Sequence, residues 1–514
     1  MQDYMEDHKD YLQFLKDKDD EKDASKPKKA SKASKDPGVA AVIPISSSLS
    51  CEDIDKRMND IANSEEVADL IRRYYEYYSG AKLNRSYFTE LATLGAHVLD
   101  LGRTAKAGTP EEPGDYIFFA TMQGLNDYLG TKPKDLKVML VRDPDWWKTR
   151  GTKNTKASFI QELRFTPNDK LAVQDFGRST KEHDTAVTRM TVEELLPILA
   201  LPGVEPLNLL DLSSKPGLTP FPIMERCTLL EECIDYYWRN VLRKSNPDEY
   251  PSGRAKSSWR YHKIDLESCS HFSLFGQAGA ISGPHIDQYG SMTWVTLEAD
   301  GGEVEPKKAW AVVNLNILKD QERDSSWQSF IKMASDWAPL PECVSIIYLE
   351  AGDTLIMPPG TIHIPITITD CFMSGGMVWG SWFVPAIIDS YLMTTKENDI
   401  TNEEYAIQTR GVLDQLEMML IKRREEFDLD EDTSNLISEN IDQIVMLAGP
   451  TCRCASKCSH HCSCFSAMQR CHARCHSGED KRCDNIYGCD VSRKEELEEI
   501  VRIEEKIKNG MDCT

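Results

Sequence analysis

The chain has 514 residues, and its 60 lysines and arginines stand against 83 aspartates and glutamates, which gives a formal net charge of −23. At about 150 residues per domain, this length predicts about three domains. The acidic balance excludes a histone-like protein that coats nucleic acid, so any contact with DNA requires a local basic patch. No apolar run approaches the ~20 residues needed to cross a bilayer, and we therefore expect no membrane span.

The distribution of the 16 cysteines indicates the compartment. Six are scattered between Cys51 and Cys371, nine lie between Cys452 and Cys489, and Cys513 stands alone. The acidic N-terminus lacks the basic and apolar segments of a secretory signal. In a chain without such a signal, clustered cysteines are typical of a metal-binding module in a reducing compartment, so we expect an intracellular protein.

Residues 1–50 are predicted to form a disordered charged tail, because they contain few aromatic and branched side chains and cannot offset the loss of chain entropy on folding. Within this tail, Lys26–Lys35 form the lysine cluster KPKKASKASK. The cluster is either a nuclear import signal or polyanion contact, or a solvated linker. Residues 51–135 follow as a helical region, in which apolar residues recur at steps of three and four to about Leu101, with loops and short strands expected from there through Lys148.

Residues 136–260 are the predicted lead-in to the main β region. Here MTVEELL indicates a short helix entered through a cap at Thr191, and VEPLNLLDLSS indicates a strand after it. Residues 261–395 contain short stretches of branched and aromatic residues separated by Gly, Pro and Asp, which predicts a sandwich or barrel of short strands. Residues 396–448 return to a helical pattern.

The motif ISGPHIDQYG carries the strongest indication of chemistry. His285 and Asp287 are two residues apart, so in an extended strand both side chains lie on one face and can bind the same ion. Downstream, GDTLIMPPGTIHIP places His363 after a Pro-Pro-Gly turn and at the start of another β stretch. Two imidazoles and one carboxylate form a facial triad, a ligand set typical of non-haem Fe(II) oxygenases.

Two other interpretations of these residues stay open. His285 could be a hydrogen-bonded core histidine beside a surface aspartate, or the three residues could bind zinc or another metal in a non-catalytic, cupin-like barrel. The pattern His-x-Asp is weak by itself, since His8 and Asp10 repeat it in a charged run without strand character. We assign no role to that pair. The β context, the preceding Gly-Pro and the second histidine together favour the iron site.

Three stretches resemble the Jumonji-C (JmjC) family of Fe(II)- and 2-oxoglutarate-dependent oxygenases, and most of all the lysine demethylase subgroup that carries F-box or PHD modules. MTVEELL with LNLLDLSS is similar to the helix and strand that lead into that catalytic domain. SGPHIDQYGSMTWVT resembles the strand with the first two iron ligands, and GDTLIMPPGTIHIPITITDCFMSGGMVWGS resembles the strand pair with the third. The resemblance covers about residues 190–395.

The resemblance implies an α+β protein whose core is a double-stranded β-helix, a jelly-roll or cupin-like barrel, with flanking helices. It also implies that Ser282 and Lys308 bind the remote carboxylate of 2-oxoglutarate, which needs a cation and a hydroxyl donor once it leaves water. Lys308 lies 23 positions after His285, more than is usual in the family, and Lys307 could serve instead. The subgroup often has a polar residue directly after the Gly-Gly pair, where this chain has Met377.

The reaction implied by the resemblance is the oxidative decarboxylation of 2-oxoglutarate to succinate and CO₂, coupled to hydroxylation of a C–H bond by O₂. On an N-methyl group of lysine, this hydroxylation releases formaldehyde and leaves the demethylated lysine. We therefore expect a nuclear, chromatin-associated histone lysine demethylase that acts on a histone tail or another chromatin protein. The alternatives are a catalytically inactive JmjC-like protein that binds chromatin or DNA, and a JmjC protein hydroxylase.

Residues 451–490 form a cysteine-rich segment, and residues 491–514 are predicted to be a C-terminal helix. Repeated C-x-C pairs allow thiolates to bridge neighbouring zinc ions, so that a short segment folds around metal instead of a core. The segment resembles the tesmin-type CXC zinc module, although Ser477 replaces one expected cysteine, whose place His476 or Cys489 could take. The candidate zinc ligands are Cys452, Cys454, Cys458, Cys462, Cys464, Cys471, Cys475 and Cys483.

The charge of this module predicts its partner. From Cys452 to Asn485 there are six basic residues against three acidic ones, a local net charge of +3 inside an acidic protein. Such a patch suits the DNA backbone, and the resemblance likewise implies binding to DNA or chromatin. The alternative is a purely structural zinc knot.

Overall fold

The structure, a computed structural model, describes residues 49–80, 85–150, 165–183, 185–199, 205–213, 218–244, 266–298, 305–403 and 409–448. The predicted charged tail (except its last two residues), the cysteine-rich module with its eight candidate zinc ligands and the predicted C-terminal helix lie outside the described residues.

The described helices lie before, between and after the strands. They are α1 (Cys51–Ala62), α2 (Glu65–Gly80), α3 (Tyr87–Leu101), α4 (Met122–Gly130), α5 (Pro144–Thr149), α6 (Val192–Leu199), α7 (Phe221–Arg226), α8 (Leu229–Lys244), α9 (Leu266–Cys269), α10 (Asp320–Met333), α11 (Val384–Lys396), α12 (Thr409–Lys422), α13 (Arg424–Phe427) and α14 (Glu431–Leu447).

The described strands form two sheets. They are β1 (Arg103–Thr104), β2 (Ala107–Gly108), β3 (Tyr116–Phe119), β4 (Met139–Arg142), β5 (Lys170–Asp175), β6 (Val187–Thr191), β7 (Leu207–Ser213), β8 (Phe272–Gly276), β9 (Met292–Glu298), β10 (Lys307–Val313), β11 (Val344–Glu350), β12 (Asp353–Met357), β13 (Ile362–Thr367) and β14 (Cys371–Val378).

Both sheets are mixed. The smaller one has the order β1-β11-β10-β13, and the larger one has the order β2-β3-β4-β12-β9-β14-β8-β7-β5-β6. The pairs β1·β11, β2·β3 and β3·β4 are parallel, whereas the other pairs are antiparallel. Two mixed sheets with flanking helices make an α+β fold that is compatible with a β-sandwich or jelly roll.

The two sheets face each other across a buried interior. Trp310 of β10, in the smaller sheet, donates its indole N–H to the Met357 sulfur of β12, in the larger sheet, at 3.0 Å. At another point Gly276 of β8 faces Thr367 of β13, and a Cβ on this glycine would lie only 2.6 Å from the threonine hydroxyl. Close approach of the sheets therefore requires glycine at position 276.

The helices before and after the β region share one core with it. A single cluster of buried apolar side chains extends from Ile54 of α1 through the sheets to Val445 of α14. A second, smaller cluster joins Leu195 and Leu199 of α6 to Phe275 and Phe372 of the larger sheet. The α6 helix therefore covers a face of that sheet, and the larger cluster connects the N-terminal and C-terminal helices to the sheets.

Local sequence explains how several of these helices begin. Ser50 and Asp53 form a capping box at the start of α1, in which each side chain binds the backbone N–H of the other residue. At α6 the cap predicted at Thr191 is present, because the Glu194 N–H donates to the Thr191 hydroxyl at 3.2 Å. Such caps satisfy N–H groups that have no partner within the helix.

The region 51–135 contains both helices and short strands. After α1, α2 and α3, the chain adds the short strands β1, β2 and β3 to the two sheets before α4 begins. Tyr116–Phe119 is a run of four buried residues, which is too short to show a helical or strand period. No helix among the described residues combines the length and the apolar character needed to span a membrane.

Candidate metal centre

The structure brings His285, Asp287 and His363 together. One nitrogen of each histidine and one carboxylate oxygen of Asp287 all lie within 4.8 Å of one another. The Asp287 Oδ1 is 3.9 Å from His285 Nε2 and 3.6 Å from His363 Nε2. His363 is 2% exposed and His285 is 7% exposed, so two buried imidazoles and one carboxylate face a common point.

Backbone pairing sets the positions of the two histidines. The His285 N–H donates to the His363 carbonyl at 3.2 Å, and the His363 N–H donates back to the His285 carbonyl at 3.0 Å. His363 is the second residue of β13, which begins after the Pro358–Gly360 turn. Gly360 has a φ of +78° in this turn, a conformation that glycine adopts without strain.

Each histidine is oriented by a backbone carbonyl two residues before it. His285 Nδ1 lies 2.8 Å from the Gly283 oxygen, and His363 Nδ1 lies 3.1 Å from the Thr361 oxygen. A carbonyl oxygen can only accept a hydrogen bond, so Nδ1 carries the proton and Nε2 keeps its lone pair. This arrangement is typical of metal-binding histidines, since it fixes the tautomer and directs the free nitrogen at the ion.

Burial further favours the neutral form of His285. Desolvation, with a contribution from the neighbouring His363, lowers the pKa of His285 to about 4, although Asp287 and the Gly283 carbonyl act in the opposite direction. A neutral imidazole is the form that binds metal ions. The site can therefore bind a divalent cation at neutral pH without first releasing a proton from this histidine.

The loop around Asp287 is held by the segment that follows α11. The Ile286 N–H donates to the Ile400 carbonyl at 2.9 Å, and the Gln288 N–H donates to the Glu403 carboxylate at 2.9 Å. Gly290 then turns the chain with a φ of +59°, where a Cβ would lie 1.9 Å from the Ile387 carbonyl oxygen. The aspartate is thus fixed from both sides.

The two lysines considered for the cosubstrate lie on opposite faces of β10. Lys307 Nζ is 2.9 Å from the Glu66 carboxylate of α2. Lys308 is only 4% exposed and pairs across the sheet with Thr367. Its ammonium forms no ion pair with a described residue, and burial lowers the pKa of Lys308, against a weaker opposing influence of the Cys371 thiol. The geometry therefore places Lys308 inside and Lys307 outside.

Trp310 connects Lys308 to the triad. Its indole stacks on the His363 ring, with centroids 5.6 Å apart and planes 14° from parallel. The Lys308 ammonium lies 5.5 Å from the centroid of the same indole. Lys308, Trp310 and Val312 alternate along β10, and Val312 pairs directly with His363. Lys308, Trp310 and His363 therefore share one face of the smaller sheet.

Ser282 also lies on the face of the two histidines, because of a bulge. Ile281 pairs with Ile366 and His285 pairs with His363, so the Ser282 segment contains one residue more than β13 between these pairs. The Ser282 N–H donates to the Pro365 carbonyl at 3.1 Å. In a regular strand, a residue three positions before His285 would point to the opposite face.

Sequence reasoning missed the three groups that orient the histidines and connect them to Lys308. Trp310 lies two residues after Lys308, and this spacing in a predicted strand is a signal that both side chains share a face. The carbonyls of Gly283 and Thr361 have no side-chain signature at all. Met377 is buried and pairs with Thr293 in the larger sheet.

The residues fit the cofactors that the sequence suggested. A facial set of two nitrogens and one oxygen suits Fe(II). The Lys308 ammonium is a buried cation without a carboxylate partner among the described residues, a state that an anion bound beside it would relieve. 2-Oxoglutarate supplies such an anion at one end and two metal-binding oxygens at the other. Within the described part of the chain, the triad is also the one group of three or more His, Cys, Asp or Glu side chains that could hold a metal.

Comparison with known proteins gives two distant relatives. The chain matches no family model. It is 29% identical over 158 residues to "KK-1 biosynthesis cluster protein D" of Curvularia clavata, and the matched segment covers 30% of this chain and 14% of that protein. It is 28% identical over 200 residues to "JmjC domain-containing histone demethylation protein 1" of Caenorhabditis briggsae, and the matched segment covers 38% of this chain and 18% of that protein. The matches span less than a fifth of either relative, and the second points to the JmjC family.

Proposed function

We propose that this protein is an Fe(II)- and 2-oxoglutarate-dependent oxygenase of the JmjC type, built on a double-stranded β-helix. The observation that carries the proposal is the convergence of His285, Asp287 and His363, with both Nδ1 atoms bonded to carbonyls, beside the buried ammonium of Lys308. The distant similarity to a JmjC domain-containing protein supports it independently.

The residues have distinct tasks in this proposal. His285, Asp287 and His363 hold the iron, while Lys308, with Ser282 on the same face, binds the remote carboxylate of the cosubstrate. Fe(II) and 2-oxoglutarate together supply the oxidation of a substrate C–H bond by O₂, with release of succinate and CO₂. Trp310 fills the space between Lys308 and His363 and so limits the access of water to both.

The substrate we propose is N-methylated lysine in a histone tail or another chromatin protein. This choice is supported by the name of the Caenorhabditis briggsae relative, a histone demethylation protein. We also propose a nuclear location and a zinc-binding cysteine module that contacts DNA. The name of the same relative and the basic charge of residues 452–485 support these two proposals.

The test is formation of succinate by the purified protein. We expect succinate only when both Fe(II) and 2-oxoglutarate are present, and its loss in a His285→Ala variant. His97→Ala, which removes a half-buried histidine of α3, is the matched control and should retain activity. Failure of the wild-type protein to bind either metal or 2-oxoglutarate would contradict the proposal and favour a binding protein without catalysis.

The substrate is tested separately by mass spectrometry of methylated histone peptides after the reaction. A lysine demethylase removes methyl groups and releases an equal amount of formaldehyde. A protein hydroxylase instead leaves an oxygen atom on its product. Succinate formation with a product that has gained oxygen would keep the oxygenase and overturn the demethylase.

A further inference from the structure

A groove lies beside the segment that leads into His285. It has a volume of about 360 Å³ and runs between the N-terminal half of α3 and the turn at residues 334–336 that follows α10. Its lining is mostly polar or charged and includes Arg85, Glu90, Thr93, Ser335 and Asp336. The proposed metal and cosubstrate sites use none of these residues.

The turn at residues 334–336 connects the groove to the metal centre. Ser335 lines the groove, and it also covers Gly283, since a Cβ on this glycine would lie 2.4 Å from the Ser335 carbonyl oxygen. Gly283 is the residue whose own carbonyl orients His285. The same turn packs against residues 398–400, where the Ile400 carbonyl holds the Ile286 N–H. A molecule in the groove would therefore contact a turn that packs against Gly283 and against residues 398–400. These two segments hold His285 and the loop around Asp287 in place.

The charges of the groove indicate what it binds. Glu90 and Asp336 are exposed, and neither carboxylate forms an ion pair with a residue that the structure describes. Arg85 contributes the one positive charge of the lining. Two carboxylates in a protein with a net charge of −23 favour a basic ligand, both by direct pairing and by steering the encounter.

We propose that this groove is the docking site for the polypeptide substrate, and that Glu90 and Asp336 pair with basic side chains next to the residue that reacts. This inference rests on the proposed oxygenase function, because it assigns the substrate class of that site. Thr93 is exposed on the same face of α3 and offers a hydroxyl to the backbone of the bound peptide. An acidic groove next to the turn that covers Gly283 selects lysine- and arginine-rich segments.

The first test is binding of a labelled peptide of alternating lysine and alanine to the full chain, measured by fluorescence anisotropy. We expect the double variant Glu90→Gln/Asp336→Asn to bind it about 2- to 10-fold more weakly, as for two exposed ion pairs. Thr93→Trp, which fills the groove, should weaken binding further. The matched control Glu322→Gln/Asp324→Asn removes the same charge from the exposed face of α10 and should bind like the wild type.

The second test separates docking from chemistry. The groove variants should raise the KM for a basic peptide substrate, while the affinity for Fe(II) and 2-oxoglutarate and the thermal unfolding temperature stay those of the wild type. Equal peptide binding by wild type and groove variants, or no peptide binding by the wild type, would overturn the docking site and leave the oxygenase intact. Loss of metal or 2-oxoglutarate binding in the wild type would overturn the proposed function itself.

Discussion

Lys307 and Lys308 are neighbours in the chain, yet the first bonds to Glu66 at 2.9 Å on the outside of the sheet and the second is buried against Trp310. The alternation of side chains along β10 produces this difference. This difference gives a matched pair of variants, of which one is expected to bind the cosubstrate more weakly and the other to retain it.

Lys308→Met should weaken binding of 2-oxoglutarate by at least about 30-fold, because loss of one partner of a buried charge pair costs about 2 kcal/mol or more. The ligand-free variant should be as stable as the wild type or more stable, since the buried ammonium has no carboxylate partner among the described residues. Lys307→Met should retain the cosubstrate. Calorimetric titration and thermal unfolding measure both quantities, and equal affinities in the two variants would remove Lys308 from the cosubstrate site.

Glu66 should make stability depend on acid pH. The hydrogen bond from Lys307 is the largest influence and lowers the pKa of Glu66 to about 2, from an ordinary value of 4.5. Because folding favours the ionised carboxylate, its contribution is complete above about pH 4.5 and is lost as the pH falls through about 2.

The variant Glu66→Gln should therefore be less stable than the wild type at pH 7, by at most about 1 kcal/mol, because the carboxylate is 40% exposed. The difference in the free energy of unfolding should shrink at pH 3. Urea titrations of both proteins at the two pH values measure it. A difference that grows at low pH would contradict the assigned ion pair.

Asp287→Asn tests the charge of the metal centre at constant size. An amide oxygen keeps the shape but lacks the negative charge, so we expect the affinity for a divalent ion such as Mn(II) or Co(II) to fall at least about 10-fold. Asp320→Asn, at the exposed start of α10, is the control and should bind metal like the wild type. Undiminished metal binding by Asp287→Asn would show that the aspartate is not a ligand.

Arg142 should be the most costly ion-pair residue to remove among those discussed here. Its guanidinium bonds to Asp353 at 2.6 Å and to Glu350 at 2.9 Å, and all three side chains are at most 11% exposed. Arg142→Met leaves two buried carboxylates without this partner, so we expect a loss of about 3–5 kcal/mol in the free energy of unfolding. Arg103, which pairs with Asp115 at the surface, is the control: Arg103→Met should cost at most about 1 kcal/mol.

The sequence predicted most of the described strands, and it brought forward as one candidate site three side chains that the structure places together. The described strands β8 to β14 all lie within the predicted β region 261–395, because runs of branched and aromatic residues between turn residues are a local signal. The two-residue spacing of His285 and Asp287 is also a local signal, because it can be read from adjacent residues without knowing the tertiary structure.

What depends on pairing between distant segments could not be predicted. The sequence of residues 307–310, KKAW, does not predict whether Lys307 or Lys308 faces inward. Only the register of β10 with β13 determines this. Ser282 reaches the face of His285 only through a bulge, which no residue type announces. Arg103–Thr104 becomes a strand solely because β11 runs beside it. Two residues carry no periodicity, so such a strand exists only through its tertiary partner.

The position of Trp310 gives the molecule a built-in optical probe. One indole lies within 5.6 Å of the ring of a proposed iron ligand and within 5.5 Å of the ammonium of the proposed cosubstrate site, measured from its centroid. A change of charge at either end alters the electric field across the same chromophore. Among the 10 tryptophans of the chain, this one should change its emission when metal or anion arrives, so that occupancy can be followed without oxygen and before any turnover.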